Sequence, residues 1–129
     1  MTLEEIKTYQ RRKEAIQAID DEIEWIYGKV SSPNGNRSGG APSSPGDPTA
    51  QKVNRIQRLK ERRSSLVSRQ EACESYVDGL EDYRVAAILR YRYILGWTWE
   101  STALRILGSP SYQSLIRAVH SHFDETPMH

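Results

Sequence analysis

The chain has one cysteine, Cys73, among 129 residues. A lone thiol excludes an internal disulfide and any zinc site built on several cysteines. Cys73 sits at an apolar position of a helical pattern, which reads as a small core hydrophobe rather than a nucleophile. Apolar runs of about 18 residues are absent, so no stretch is expected to span a bilayer. The opening "MTLEEIK" is acidic and carries no apolar signal core, which places the expected compartment in the cytoplasm. Net charge of one sign is also missing. Lys and Arg number 18 against 17 Asp and Glu, so any basic surface has to be local. No alternation of the strand type occurs, and no glycine-rich phosphate loop follows a strand. Hydrophobic residues make up only 37% of the chain, and mean hydropathy is −0.69. That composition suits helices with one apolar stripe each more than one large core. The expected fold class is all-α.

Proline and glycine are concentrated rather than scarce. "SSPNGNRSGGAPSSPGDP", residues 31–48, holds four of each and almost no apolar side chain. It reads as a flexible loop. Asp47 is a good N-cap and Pro48 a good first helical residue. Before the loop, Ile16, Ile19, Ile23, Ile26 and Val30 follow a heptad seam, and Leu3, Ile6 and Tyr9 extend the helix toward the N-terminus. After it, Ile56, Leu59, Leu66, Cys73, Val77 and Leu80 form a matching seam, interrupted by Arg63 and Gln70. Residues 1–78 are therefore expected to form an antiparallel helical hairpin with coiled-coil character. Its exposed apolar edge calls for a third packing element or a homodimer.

Residues 79–125 read as three short helices, 80–95, 98–107 and 111–125, with 126–129 as a frayed tail. Gly96 is placed as a C-terminal stop, Thr98 as an N-cap, and Gly108-Ser109-Pro110 as a turn. Ser111 or Ser109 is expected to cap the last helix, with Pro110 in its first turn. Leu89, Trp97, Trp99, Ala103, Leu115 and Val119 are expected to hold the helices together, the two indoles supplying the shared centre. Two short helices with a glycine-containing turn form a helix-turn-helix pattern, whose second helix enters the major groove by its N-terminal residues.

That helix begins Ser111, Tyr112, Gln113, Ser114. Gln113 suits a bidentate pair with adenine, and a serine serves any base. Tyr112, Ser111, Arg117 and Arg105 are candidates for phosphates. Seven basic residues lie between Lys52 and Arg69, and Arg55, Arg58, Arg62 and Arg69 share one face. Two readings stay open for this face: a solvated flank paired with Asp20, Asp21, Glu22 and Glu24, or a surface that tracks phosphates. No catalytic constellation emerges, so no enzyme and no cofactor is expected. His120 and His122 point about 200° apart on a helix and cannot chelate one metal together.

The stretch "ILRYRYILGWTWESTALRILG" resembles the core of phage and prophage transcriptional regulators related to region 4 of the primary sigma factors. The resemblance rests on Ile88 to Ile94, Gly96, Thr98-Trp99-Glu100, Ala103 and Gly108, and on the "GDPTA" that closes the upstream loop. It implies a DNA-binding regulator of phage late genes that also touches RNA polymerase, in the cytoplasm of a bacterial host cell. The chain departs from the pattern in three places. Ala103 to Gly108 is one residue longer than usual, Ser101-Thr102 replaces a glutamate-isoleucine pair, and the last helix has one arginine and ends Asp124-Glu125. The rival reading is a protein-interaction adaptor of the same fold that binds RNA polymerase or a phage protein and no DNA.

Overall fold

A computed structural model describes residues 1–31 and 48–124, and the side chains of all but residues 29–31 and 48. Every regular element among the described residues is a helix, and none is a strand. They form α1 (Leu3–Lys7), α2 (Tyr9–Ser31), α3 (Pro48–Asp78), α4 (Tyr83–Leu89), a π-helical turn (Arg90–Ile94), α5 (Trp99–Leu107) and α6 (Gln113–Phe123). None of these helices is long and apolar enough to cross a membrane. The expected cap at Asp47, the interior of the 31–48 loop, Glu125 and the tail 126–129 lie outside the described residues.

The chain divides into two compact units, Met1–Lys13 with Arg69–His129, and Glu14–Ser68. The expected division after residue 78 is not where these units part. The reason lies in the core of the first unit. Ile6, Cys73, Val77, Ile88, Leu89, Ala103, Leu115 and Val119 are all nearly or fully buried in one cluster. Short helices with a single apolar stripe are marginal alone. Here Ile6 and Tyr9 from the N-terminal end, and Cys73 and Val77 from the end of α3, join the core that the later helices share.

The indoles are not at its centre. Trp97 and Trp99 are only half-buried. Trp97 stacks on Tyr91 with ring centroids 4.6 Å apart, and Trp99 stacks on Tyr112 at 6.2 Å and meets Tyr93 edge-on at 6.0 Å. Aliphatic side chains fill the interior instead, as expected where tryptophan is too large to be wholly enclosed.

The N-terminal stretch is broken where one continuous helix was expected. Thr2 and Glu5 form a capping box, each side chain accepting the other's backbone N–H at 3.2 Å. Thr8 then separates α1 from α2. Its hydroxyl donates to the Glu5 carbonyl at 3.0 Å, competing with the helical pattern. Arg12 spans the break. It donates to the Thr8 hydroxyl, to the Glu5 carbonyl at 2.7 Å and to Gln70 Oε1 at 2.6 Å. Gln70, which looks in sequence like a flaw in the seam, is buried and also donates to the Tyr9 carbonyl at 3.1 Å.

The expected helix 80–95 is two pieces. Asp82 caps α4 by accepting from the N–H groups of Arg84 and Val85, both at 3.1 Å. After Leu89 the helix widens, and Leu95 N–H reaches back five residues to the Arg90 carbonyl at 2.8 Å. Gly96 at φ +81° ends the turn, and Thr98 caps α5 by accepting from Ser101 N–H at 3.1 Å. Gly108 at φ +78° ends α5 in the left-handed region. Neither serine caps α6. Tyr112 occupies the cap position without a side-chain bond, Ser109 Oγ accepts from Ser111 N–H within the turn, and Pro110 precedes the helix. Ser111 and Tyr112 thus lie ahead of α6 rather than in its first turn.

In the second unit Ile26, Ile56 and Leu59 are buried, with Ile19 and Ile23 packed against them. Two arginines of α3 pair with acids of α2. Arg55 reaches Glu22 through two bonds at 2.9 and 3.2 Å, and Arg63 reaches Asp20 at 2.6 and 3.3 Å.

Candidate functional site

Gly108 sets the geometry from which α6 departs. At about 100° per residue, Gln113, Arg117 and His120 fall within roughly 60° on α6, and Leu115 and Val119 lie on the other side. Leu115 and Val119 are 1% exposed, whereas Ser111, Gln113, Ser114, Arg117 and His120 are exposed. Burial of one face therefore fixes the polar stripe outward. Tyr112 behaves differently from its neighbours. It is half-buried, its ring held against Trp99.

Arg105 is exposed on α5 and donates through Nε to the Tyr91 hydroxyl at 3.4 Å, a bond that raises its pKa further above the ordinary arginine range. Arg55, Arg58 and Arg62 belong to the other unit, Glu14–Ser68. There Arg55 is engaged with Glu22, and that bond raises its pKa, while Arg58 and Arg62 are exposed. The pairing expected of a solvated flank is thus present at Arg55, and also at Arg63 with Asp20.

Two surface features were not apparent in sequence. The first is an open groove of about 620 Å³ lined by Gly96, Trp97, Thr98, Ser101, Leu104 and Arg105. Leu104 is 53% exposed, and nearby in sequence Leu95 is 52% exposed. The second is a cleft of about 430 Å³ lined by Lys7, Gln10, Arg92, Tyr93, Trp99, Ile116 and His120. The Arg92 guanidinium carbon lies 5.3 Å from the ring centroids of both Tyr93 and Trp99. Its Nη1 donates to the Trp97 carbonyl at 3.0 Å, and its Nε is buried without a hydrogen-bond partner. The only signal in sequence was the alternation Arg90-Tyr91-Arg92-Tyr93, which does not say which arginine turns inward.

Cys73 is 1% exposed, and Arg12 Nη2 lies 3.1 Å from its sulfur. Burial pushes the thiol pKa up, against the opposing pull of Arg12. Protonated and enclosed, it is a core residue and a poor nucleophile. Among the described residues no group of three His, Cys, Asp or Glu side chains is placed to hold a metal ion. His122 Nε2 lies 2.7 Å from the Tyr76 hydroxyl.

No protein-family model, curated protein or solved structure matches this chain.

Proposed function

We propose that the chain is a DNA-binding regulator of phage or prophage transcription, of the kind found in sigma region 4. The observation that carries this reading is the exposed stripe of Gln113 and Arg117 at the start of α6, directed outward by the burial of Leu115 and Val119. Gln113, Ser111 and Ser114 read bases, with Gln113 suited to adenine. Arg117 and Arg105 meet phosphates, and Tyr112 positions the entry of α6 through its stack on Trp99. Arg58 and Arg62, together with the acid-paired Arg55, add a weaker electrostatic contribution. A homodimer through the α2 and α3 segments supplies a second half-site, and the exposed Trp25 and Val53 offer apolar area for it. The reading needs no cofactor.

The test is an electrophoretic shift with the purified chain and duplexes from around its own gene, at about 50 mM salt, where phosphate contacts are strongest. Retention of one duplex against excess unrelated DNA supports the reading. No shift with any duplex overturns it.

A second reading rests on the groove of Trp97 and Leu104, whose apolar lining suits a protein. In it the chain is an adaptor that binds RNA polymerase or a phage protein. Binding of purified RNA polymerase that Leu104→Glu abolishes, without any duplex shift, favours this reading over the first.

A further inference from the structure

The cleft beside α6 gathers three basic side chains from three separate elements: Lys7 from α1, Arg92 from the π-helical turn and His120 from α6. Two carboxylates lie near them. Glu4 is 3.9 Å from Lys7 and, with Asp124, shares a neighbouring cleft with His120, but the Glu4 side chain is 82% exposed and Asp124 is exposed, so water and salt screen both. Arg92 is more telling. Packed against two rings that meet edge-on, it spends one donor on a neutral carbonyl and keeps a buried Nε with no acceptor. A partly enclosed guanidinium without a counter-charge is costly, and an anion nearby relieves that cost.

Gln10 closes one side of the cleft. Its amide nitrogen is already committed to the Tyr93 and Ile94 carbonyls, at 3.1 and 2.7 Å. Lys7 and Arg92 bring the charged donors of the cleft, beside the neutral donors of Tyr93 and Trp99, and a charged acceptor gains most from that pair of cations. At about 430 Å³ the cleft has room for an anion borne on a larger molecule as well as for a free one. His120 lies two turns along α6 from Gln113, on the same side of the helix.

We infer that this cleft is an anion site that receives a phosphate group, with Lys7, Arg92 and His120 as its donors. In the DNA-binding reading, on which this assignment of source rests, the phosphate belongs to the duplex backbone beside the stripe of α6. The alternative source is a free phosphoryl compound.

The experiment uses the full chain and follows the Trp99 indole N–H by NMR during titration with inorganic phosphate. Chloride at matched ionic strength is the control. Lys7→Gln/His120→Gln is the test variant, since both residues are exposed and their loss leaves the core intact. Lys60→Gln, in the other unit, is the comparison. The expected result is a saturable phosphate-specific shift, weakened about tenfold or more in the double variant and unchanged in Lys60→Gln. Thermal melts establish that each variant is folded.

A parallel arm measures duplex affinity against salt. If the phosphate is part of DNA, the double variant lowers affinity for all sequences and reduces the salt slope by about 1 to 2. A phosphate shift in a chain that binds no duplex, or whose duplex binding ignores the variant, upholds the anion site and assigns it a free phosphoryl ligand. No phosphate shift, together with duplex binding indifferent to the variant, overturns the site and leaves the DNA reading standing. No response in either arm overturns both.

Discussion

Gln10 donates its side-chain amide to the carbonyls of Tyr93 and Ile94, residues more than eighty positions away, and in doing so ends the π-helical turn. Those carbonyls have no further turn of helix to bond them. Gly96 lies against the same amide. A Cβ added there would stand 3.1 Å from Gln10 Cδ and Oε1, at a backbone φ of +81°.

Gln10→Ala is expected to destabilise the fold by about 1 to 3 kcal/mol by leaving part-buried carbonyls unbonded. Gly96→Ala is expected to cost about 1 to 2 kcal/mol from left-handed strain alone, and more from the contact with Gln10. Because the contact disappears in the double variant, the two losses should fall short of additivity by about 0.5 kcal/mol or more. Urea denaturation of the four proteins measures the cycle. Strict additivity would mean that the two positions do not press on each other.

The core predicts an order of losses that runs against side-chain size. Ile6→Ala is expected to cost about 2 to 5 kcal/mol, since Ile6 is 0% exposed. Trp97→Ala should cost less, because the indole is half-buried and stacked only on Tyr91. Hydrogen exchange at Leu115 and Val119 should quicken markedly in Ile6→Ala. A larger loss at Trp97 than at Ile6 would return the indoles to the centre of the fold.

Alkaline stability should depend on Tyr9. Burial, and then its 2.5 Å bond to Glu74, push its pKa from 10.0 up to about 12. The folded chain keeps this proton where the unfolded chain gives it up. The resulting stabilisation is complete below pH 10 and is lost as pH rises from 10 to 12. Tyr9→Phe should lower stability at neutral pH yet flatten the decline across that window. Some slope should remain, because burial also raises Tyr93 and Cys73. Chemical denaturation at closely spaced pH values checks this, and an unchanged slope in Tyr9→Phe would count against it.

Within α6, Gln113 and Arg117 should part company in binding assays. Gln113→Ala is expected to cost about 1 to 3 kcal/mol on a preferred duplex and little on unrelated DNA. Arg117→Ala should weaken all duplexes alike and reduce the salt slope by about 1. Anisotropy titrations over a range of salt separate the two. Equal effects of both variants on every duplex would remove the base-reading role of Gln113.

The local parts of this fold were legible from residues alone. Thr98, Gly96 and Gly108 announce their cap and turn positions because their chemistry acts within a few residues. The helical character of the chain and the seam positions Ile26, Ile56 and Leu59 follow from spacing in the same way. What escaped reading depends on partners distant in the chain. The break at Thr8 is reinforced by Arg12, the widening after Leu89 ends on Gln10, and Gln70 counts as a flaw until Arg12 and Tyr9 engage it. The basic cleft is the extreme case. Lys7, Arg92 and His120 are separated by most of the chain, and no spacing rule links them. Polar residues at the start of α6 were legible as an exposed tip, but the inward lean of Tyr112 onto Trp99 was not.

The interior shared by Ile6 and Val119 has a consequence for how the molecule assembles. A growing polypeptide releases Ile6 early and must make more than a hundred further residues before Val119, of the same core, exists. Glu14–Ser68, continuous in the chain, faces no such wait. Contacts so far apart in sequence slow folding. The unit that carries α6 should therefore be the later one to mature during synthesis, with Ile6 in need of shelter until then.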